Sequence, residues 1–112
     1  MSHSFKGPYL FNNATISEWD STAIGVYYCG VRNSEGKLIL YYIGKSVADS
    51  GIRGRLLQHL SENKWADVTH FGYEQCDTVA ETEKHELEEI AKYKPKYNTQ
   101  GKWGTWAKDT GL

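Results

Sequence analysis

Two strings of β-branched and aromatic residues, separated by one polar turn, constrain this chain more than any other feature. They read Ile24-Gly25-Val26-Tyr27-Tyr28-Cys29-Gly30-Val31-Arg32 and Lys37-Leu38-Ile39-Leu40-Tyr41-Tyr42-Ile43-Gly44-Lys45, with Asn33-Ser34-Glu35-Gly36 between them. Such residues suit a pleated, half-buried surface, and Asn and Gly tolerate the backbone of a tight turn, so the stretch predicts a β-hairpin. If Asn33 faces Gly36 across the turn, Tyr27 falls directly opposite Tyr42, with Cβ atoms about 4.5–5.5 Å apart. A slip of two positions keeps both phenols on one face as diagonal neighbours; a slip of one separates them, because strand side chains alternate. Two tyrosines on one face, with Lys45 at the strand end, suggest a site. The ordinary preference of tyrosine for strands accounts for the same pattern.

The chain has 112 residues, enough for one domain with a real core. No apolar run reaches the length of a membrane span, and Met1 to Lys6 lack the apolar core of a secretory signal, so an intracellular protein is expected. Cys29 and Cys76 stand apart with no Cys-x-x-Cys spacing, and together with His59, His70 and His85 they match no zinc pattern. The net charge of −1 gives no global basic excess of the kind that announces nucleic-acid binding. Charge is unevenly distributed, however. Lys37, Lys45, Arg53, Arg55 and Lys64 outnumber Asp49 and Glu62 in one stretch, Lys92, Lys94, Lys96 and Lys102 form another, and the acids gather in residues 74–89. A basic groove beside an acidic face fits this split, as do ordinary solvated faces.

Around the hairpin the chain divides into an N-terminal extension over residues 1–20, a domain over 21–100 and an aromatic, basic tail over 101–112. Tyr9, Leu10 and Phe11 are expected to pack the extension onto the domain, after Gly7-Pro8 interrupts regular structure. Asp49-Ser50 offer helix caps before a helix over residues 52–61, with Ile52, Leu56, Leu57 and Leu60 as its apolar stripe. Arg55 and His59 share a flank of that helix, which ordinarily means a solvated side. A third strand is expected over 68–75 and a longer helix over 78–93, capped by Asp77 or Thr78 and stopped by Pro95. Its inward stripe reads as Ala80, Leu87, Ile90 and Ala91, with Glu81, Glu88 and Glu89 pointing away. Glu83 falls in that stripe and Glu86 beside it, so both are candidate interior carboxylates. Trp103 and Trp106 beside lysines can stack on bases of a single strand or simply pack the tail.

The order β-β-α-β-α gives an α+β class with a small three-stranded antiparallel sheet flanked by helices. Together with its motifs, this order resembles the GIY-YIG nuclease domain. The resemblance covers residues 24–98 and rests on Gly25-Val26-Tyr27, Tyr42-Ile43-Gly44-Lys45-Ser46, Gly54-Arg55-Leu56-Leu57-Gln58-His59, Glu86 four before Ile90, and Lys94-Pro95-Lys96-Tyr97-Asn98. Val26 stands where the family name has Ile, and the connector 46–54 is longer than in many members. The resemblance selects Arg55 over Arg53, and Glu86 over Glu83 as the metal ligand.

It implies an endonuclease that hydrolyses DNA phosphodiester bonds with one divalent cation, Mg²⁺ or Mn²⁺, held by Glu86. Tyr42 is the implied general base, Tyr27 positions water or phosphate, and Arg55 supplies a planar fork to the phosphate oxygens. His59 assists proton movement or binds phosphate, Lys45 contacts substrate, and Asn98 holds the site or contacts backbone. A phenol titrates near ~10, so a tyrosine base needs positive charge nearby, which Lys45, Arg55 and the cation would provide. Family members are often tethered to a separate DNA-recognition domain, for which this chain has no room. A weakly specific nuclease, one that recognises DNA structure, or part of a complex with a partner protein supplying specificity is therefore expected. The alternatives are a non-catalytic nucleic-acid-binding module of the same fold and a protein-docking domain using its acidic helix face.

Overall fold

The computed structural model describes residues 4–19, 22–62 and 65–98. Strand β2 (Gly25–Arg32) is the centre of the architecture, buried on both faces from Gly25 to Gly30. Strand β3 (Leu38–Ser46) returns antiparallel beside it, joined by a turn in which the Asn33 side chain accepts from the Glu35 and Lys37 amides. Strand β4 (His70–Gln75) pairs with the other side of β2, and strand β1 (Lys6–Leu10) pairs with β4. Helices α1 (Asn13–Ser17), α2 (Gly51–Glu62) and α3 (Val79–Tyr93) complete the α+β fold.

The sheet therefore has four antiparallel strands in the order β1-β4-β2-β3, not three, and the full element order is β-α-β-β-α-β-α rather than β-β-α-β-α. The extra strand comes from the stretch expected only to pack against the domain. Gly7-Pro8 does not end it: the register shifts between Lys6 and Tyr9, and β1 lies at a sheet edge, where a residue lacking an N–H is tolerated. Leu10 remains exposed, whereas the Tyr9 ring lies 5.5 Å from Phe71 and stacks on Tyr73, and Phe11 packs on the core.

Side-chain alternation divides β2 between two cores. Tyr27 and Cys29 join Ile16 of α1, Ile52 and Leu56 of α2, Val68 and Phe71 on one face. Val26 and Tyr28 join Ile43 on the other, where Leu38, Leu40 and Ile90 of α3 pack against them. Helix α2 presents the expected stripe, Ile52 and Leu56 buried and Leu57 and Leu60 against the cluster.

Helix α3 departs from expectation. Its caps form as the sequence implies: the Thr78 hydroxyl accepts from the Glu81 amide at 3.0 Å, and Lys94 ends the helix in the left-handed region before Pro95. The buried stripe, however, is polar. Thr82 is fully buried and His85, Glu86, Glu89 and Ile90 are half-buried, whereas Leu87 is 63% exposed and Ala80, Glu83 and Ala91 face solvent. Glu89 does not point away: it accepts a 2.8 Å hydrogen bond from the Tyr28 hydroxyl, and His85 bonds Glu74 of β4 at 2.6 Å. Partners on the sheet satisfy these groups, so burying them costs little and the apolar pattern no longer marks the inner face.

Candidate active site

A bulge in the hairpin sets the geometry. Near the turn Gly30 pairs with Leu40, but beyond it Cys29 pairs with Tyr42, leaving Tyr41 as an extra residue in β3. A β-carbon on Gly30 would collide with the Ile39 carbonyl, so glycine is what lets the strands approach there. Tyr27 consequently lies opposite Gly44, not Tyr42, and the two tyrosines become diagonal neighbours on the α2 face. Their ring centroids are 6.1 Å apart. The Tyr27 ring occupies the space above Gly44: a β-carbon there would stand 2.5 Å from the Tyr27 hydroxyl and 2.8 Å from the Tyr42 ring.

Helix α2 brings the next two residues. His59 is 2% exposed rather than on a solvated flank, and its Nε2 lies 2.8 Å from the Tyr27 hydroxyl. Its ring meets Tyr42 edge-on at 5.9 Å. Arg53 and Arg55 separate clearly. Arg53 donates to the Ile16 and Ser17 carbonyls at the end of α1, whereas Arg55 turns to an open cleft and bonds Gln58 at 3.0 Å.

That cleft, of about 330 Å³, is lined by Tyr42, Lys45 and Ser46 of β3, Val47 and Ala48 of the connector, Arg55 of α2 and Glu86 of α3. Glu86 and Glu83 also separate: Glu86 reaches the cleft, while Glu83 pairs with Lys45 at 3.6 Å from the exposed side of the helix. Tyr27 and His59 form a buried pair behind Tyr42. Asn98 is engaged elsewhere, its amide accepting from the Ile43 N–H and donating to the Ile43 carbonyl, both at 2.8 Å. It thus clips the outer edge of β3, the strand that carries Tyr42 and Lys45.

Trp65 is the residue that sequence reasoning missed. Its indole packs at 4.5 Å from His59 and 4.8 Å from Tyr42, and stacks on Tyr97 at 6.2 Å. It follows α2 in a connector without periodicity, so no spacing marked it. Trp103 and Trp106 lie outside the described residues.

Electrostatically the tyrosines are held neutral. Burial pushes the Tyr42 phenol above its ordinary range and the Glu86 charge adds to this, with Arg55 and the neighbouring Tyr27 hydroxyl opposing. Tyr27 is shifted further upward, by burial and then by Tyr42, again against Arg55. The expected lowering of the Tyr42 phenol relies on a cation as well as on Arg55 and Lys45; Arg55 by itself does not reverse the shift. Desolvation and a carboxylate outweigh one guanidinium.

Oxygen donors at this cleft suit a hard divalent cation. One half-buried carboxylate, with open space beside it, fits an ion that keeps most of its waters and takes phosphate oxygens. Comparisons of the chain with protein-family models, with curated proteins and with solved structures found no match.

Proposed function

We propose that this protein is a metal-dependent endonuclease of the GIY-YIG type, hydrolysing DNA phosphodiester bonds to leave a 5′-phosphate and a 3′-hydroxyl. One observation carries the reading: Tyr42, Arg55 and Glu86, drawn from three separate elements, line a single open cleft together with Lys45. Glu86 would hold one Mg²⁺ or Mn²⁺, which when bound supplies charge stabilisation at the phosphate and the leaving oxygen. Arg55 binds the non-bridging oxygens, where charge concentrates in the transition state. Lys45 draws the backbone into the cleft. Tyr42 takes the proton of the attacking water at its phenolic oxygen, so it must first be ionised. The Glu86 charge is one of the causes that keep it protonated. Burial is the larger cause; with the Glu86 charge offset by a cation, Arg55 is left to oppose burial, and the phenolic proton leaves to solvent. Tyr27 and His59, bonded to each other, fix the Tyr42 ring from behind.

With a net charge of −1, affinity for DNA is expected to be modest and salt-sensitive, consistent with a partner protein or DNA structure supplying specificity. Nicking of supercoiled plasmid and of branched oligonucleotides in Mg²⁺ or Mn²⁺, by wild type and Glu86→Ala, tests the reading. Cleavage by wild type that vanishes in the variant is expected. DNA binding with no cleavage by either would favour a non-catalytic nucleic-acid-binding module.

A further inference from the structure

The opposite face of the sheet carries a second cluster with chemistry of its own. His85 and Glu89 lie four residues apart on α3, a spacing that puts both on one face of a helix, and Glu74 meets them from β4. One donor atom from each lies within 4.8 Å of the other two. The side chains of His85 and Glu74 are only 14% and 13% exposed. Two carboxylates and an imidazole are thus gathered from two elements into a partly dry place. A cavity of about 580 Å³ opens onto this cluster, with Glu74, Glu89 and Tyr28 in its wall beside Phe5, Leu40 and Tyr93.

We propose that Glu74, His85 and Glu89 bind a divalent transition-metal ion, separate from the Glu86 cleft and with its remaining coordination positions turned to the cavity. The donor set names the class of ion. One imidazole with two carboxylates suits Zn²⁺, Mn²⁺, Fe²⁺ or Co²⁺, whereas Mg²⁺ and Ca²⁺ favour shells of oxygen alone. Ligand atoms about 2.0–2.2 Å from a tetrahedral ion stand about 3.3–3.6 Å apart, so the cluster closes on an ion with side-chain shifts on the order of an ångström. The bond between His85 Nε2 and Glu74 Oε1, 2.6 Å long, now holds a proton between two of the ligands. A cation takes that position, and the Nε2 proton moves to Nδ1 of a neutral ring or leaves to solvent from a charged one. Tyr28 already donates to Glu89 Oε1, which orients this carboxylate as a second-layer partner does in metal sites. Three protein ligands beside a cavity describe an ion that can take a further ligand, rather than a closed structural site.

The test is titration of the whole metal-free chain with Co²⁺, followed by visible absorption, and with Zn²⁺, followed by calorimetry. Wild type, Glu86→Gln, His85→Ala and Glu89→Gln are compared. Glu89→Gln keeps the side-chain shape and an acceptor for Tyr28, so it separates loss of a ligand from loss of the fold. With excess Mg²⁺ occupying the Glu86 cleft, one Co²⁺ per chain is expected in wild type and in Glu86→Gln, with affinity lower by roughly tenfold or more in the other two variants. A large excess of Mg²⁺ should leave the absorption in place. No uptake at millimolar Co²⁺ or Zn²⁺, or uptake that follows Glu86 rather than His85 and Glu89, would overturn the proposal and leave the cluster as a hydrogen-bonded clasp. Nuclease activity does not enter the readout, so this proposal and the endonuclease reading fail independently.

Discussion

The two faces of the sheet are covered by helices held in different ways. On one face, α2 is seated by burial of Ile52 and Leu56 against Phe71 and the ring of Tyr27. On the other, α3 contributes Ile90 to the apolar contact and otherwise grips the sheet through Glu89 on Tyr28 and His85 on Glu74. Non-directional burial stabilises in proportion to area and tolerates small shifts. Directional bonds in a half-dry place contribute less net stability, but they fix position and are costly to leave half-made. The difference matters for the site, because Glu86 sits on the directionally held helix and Arg55 on the apolar one.

This contrast can be broken from either side. The largest effect should come from Leu56→Ala, a fully buried truncation expected to cost about 3 kcal/mol in urea unfolding. A loss below about 1 kcal/mol would mean that the apolar seating of α2 has been overstated.

Alkaline pH should act on both faces together, since neighbouring Tyr27 and Tyr28 point into opposite cores. Both phenols are raised well above the ordinary range, Tyr27 by burial first and Tyr28 by burial and then Glu89. A raised acid favours its protonated form in the folded state. Its contribution is therefore complete below the unfolded value near ~10 and is lost as pH rises above it. At about pH 11 the loss should be about 1.4 kcal/mol for each phenol that stays neutral. Thermal melts of Tyr27→Phe and Tyr28→Phe would show whether each carries its share.

At neutral pH, Tyr28→Phe tests the α3 side alone. It strips Glu89 of a donor and should cost about 1–2 kcal/mol, although it removes no apolar surface. The smallest effect belongs to Leu87→Ala. At 63% exposure it should change stability by less than about 0.5 kcal/mol, even though Leu87 anchors the apolar pattern of its helix. A loss comparable to that of Leu56→Ala would show that α3 turns its apolar side inward after all.

The same contrast explains what was legible beforehand. The hairpin, its Asn33 turn and the caps of α3 were readable because turn and cap chemistry is local: Asn33 and Thr78 act within four residues of themselves. The stripe of α2 was readable because burial there is apolar and follows the helical period. The stripe of α3 was not, since Glu89 and His85 acquire their inward character from Tyr28 and Glu74, which are remote in sequence. Strand β1 was missed because an edge strand with a register shift carries little alternation. In the cleft, the residue pattern alone left Glu83 beside Glu86 and Arg53 beside Arg55; the resemblance selected Glu86 and Arg55 and named Tyr42, without showing how they meet. The bulge at Tyr41 depends on how closely the strands approach at Gly30, and no residue pattern announces it. Burial of His59 against Tyr27, and the place of Trp65 over both His59 and Tyr42, are likewise properties of the folded chain.

The most direct measurement is the rate of plasmid nicking in Mg²⁺ by wild type and by Tyr42→Phe. This substitution keeps the ring that packs on Trp65 and His59 and removes only the hydroxyl assigned to proton transfer. Cleavage by wild type that falls by about 100-fold or more in the variant, with an unchanged melting temperature, is the predicted result. Equal cleavage by the two, or none by wild type on any DNA form, would contradict the assignment of this cleft to phosphodiester hydrolysis.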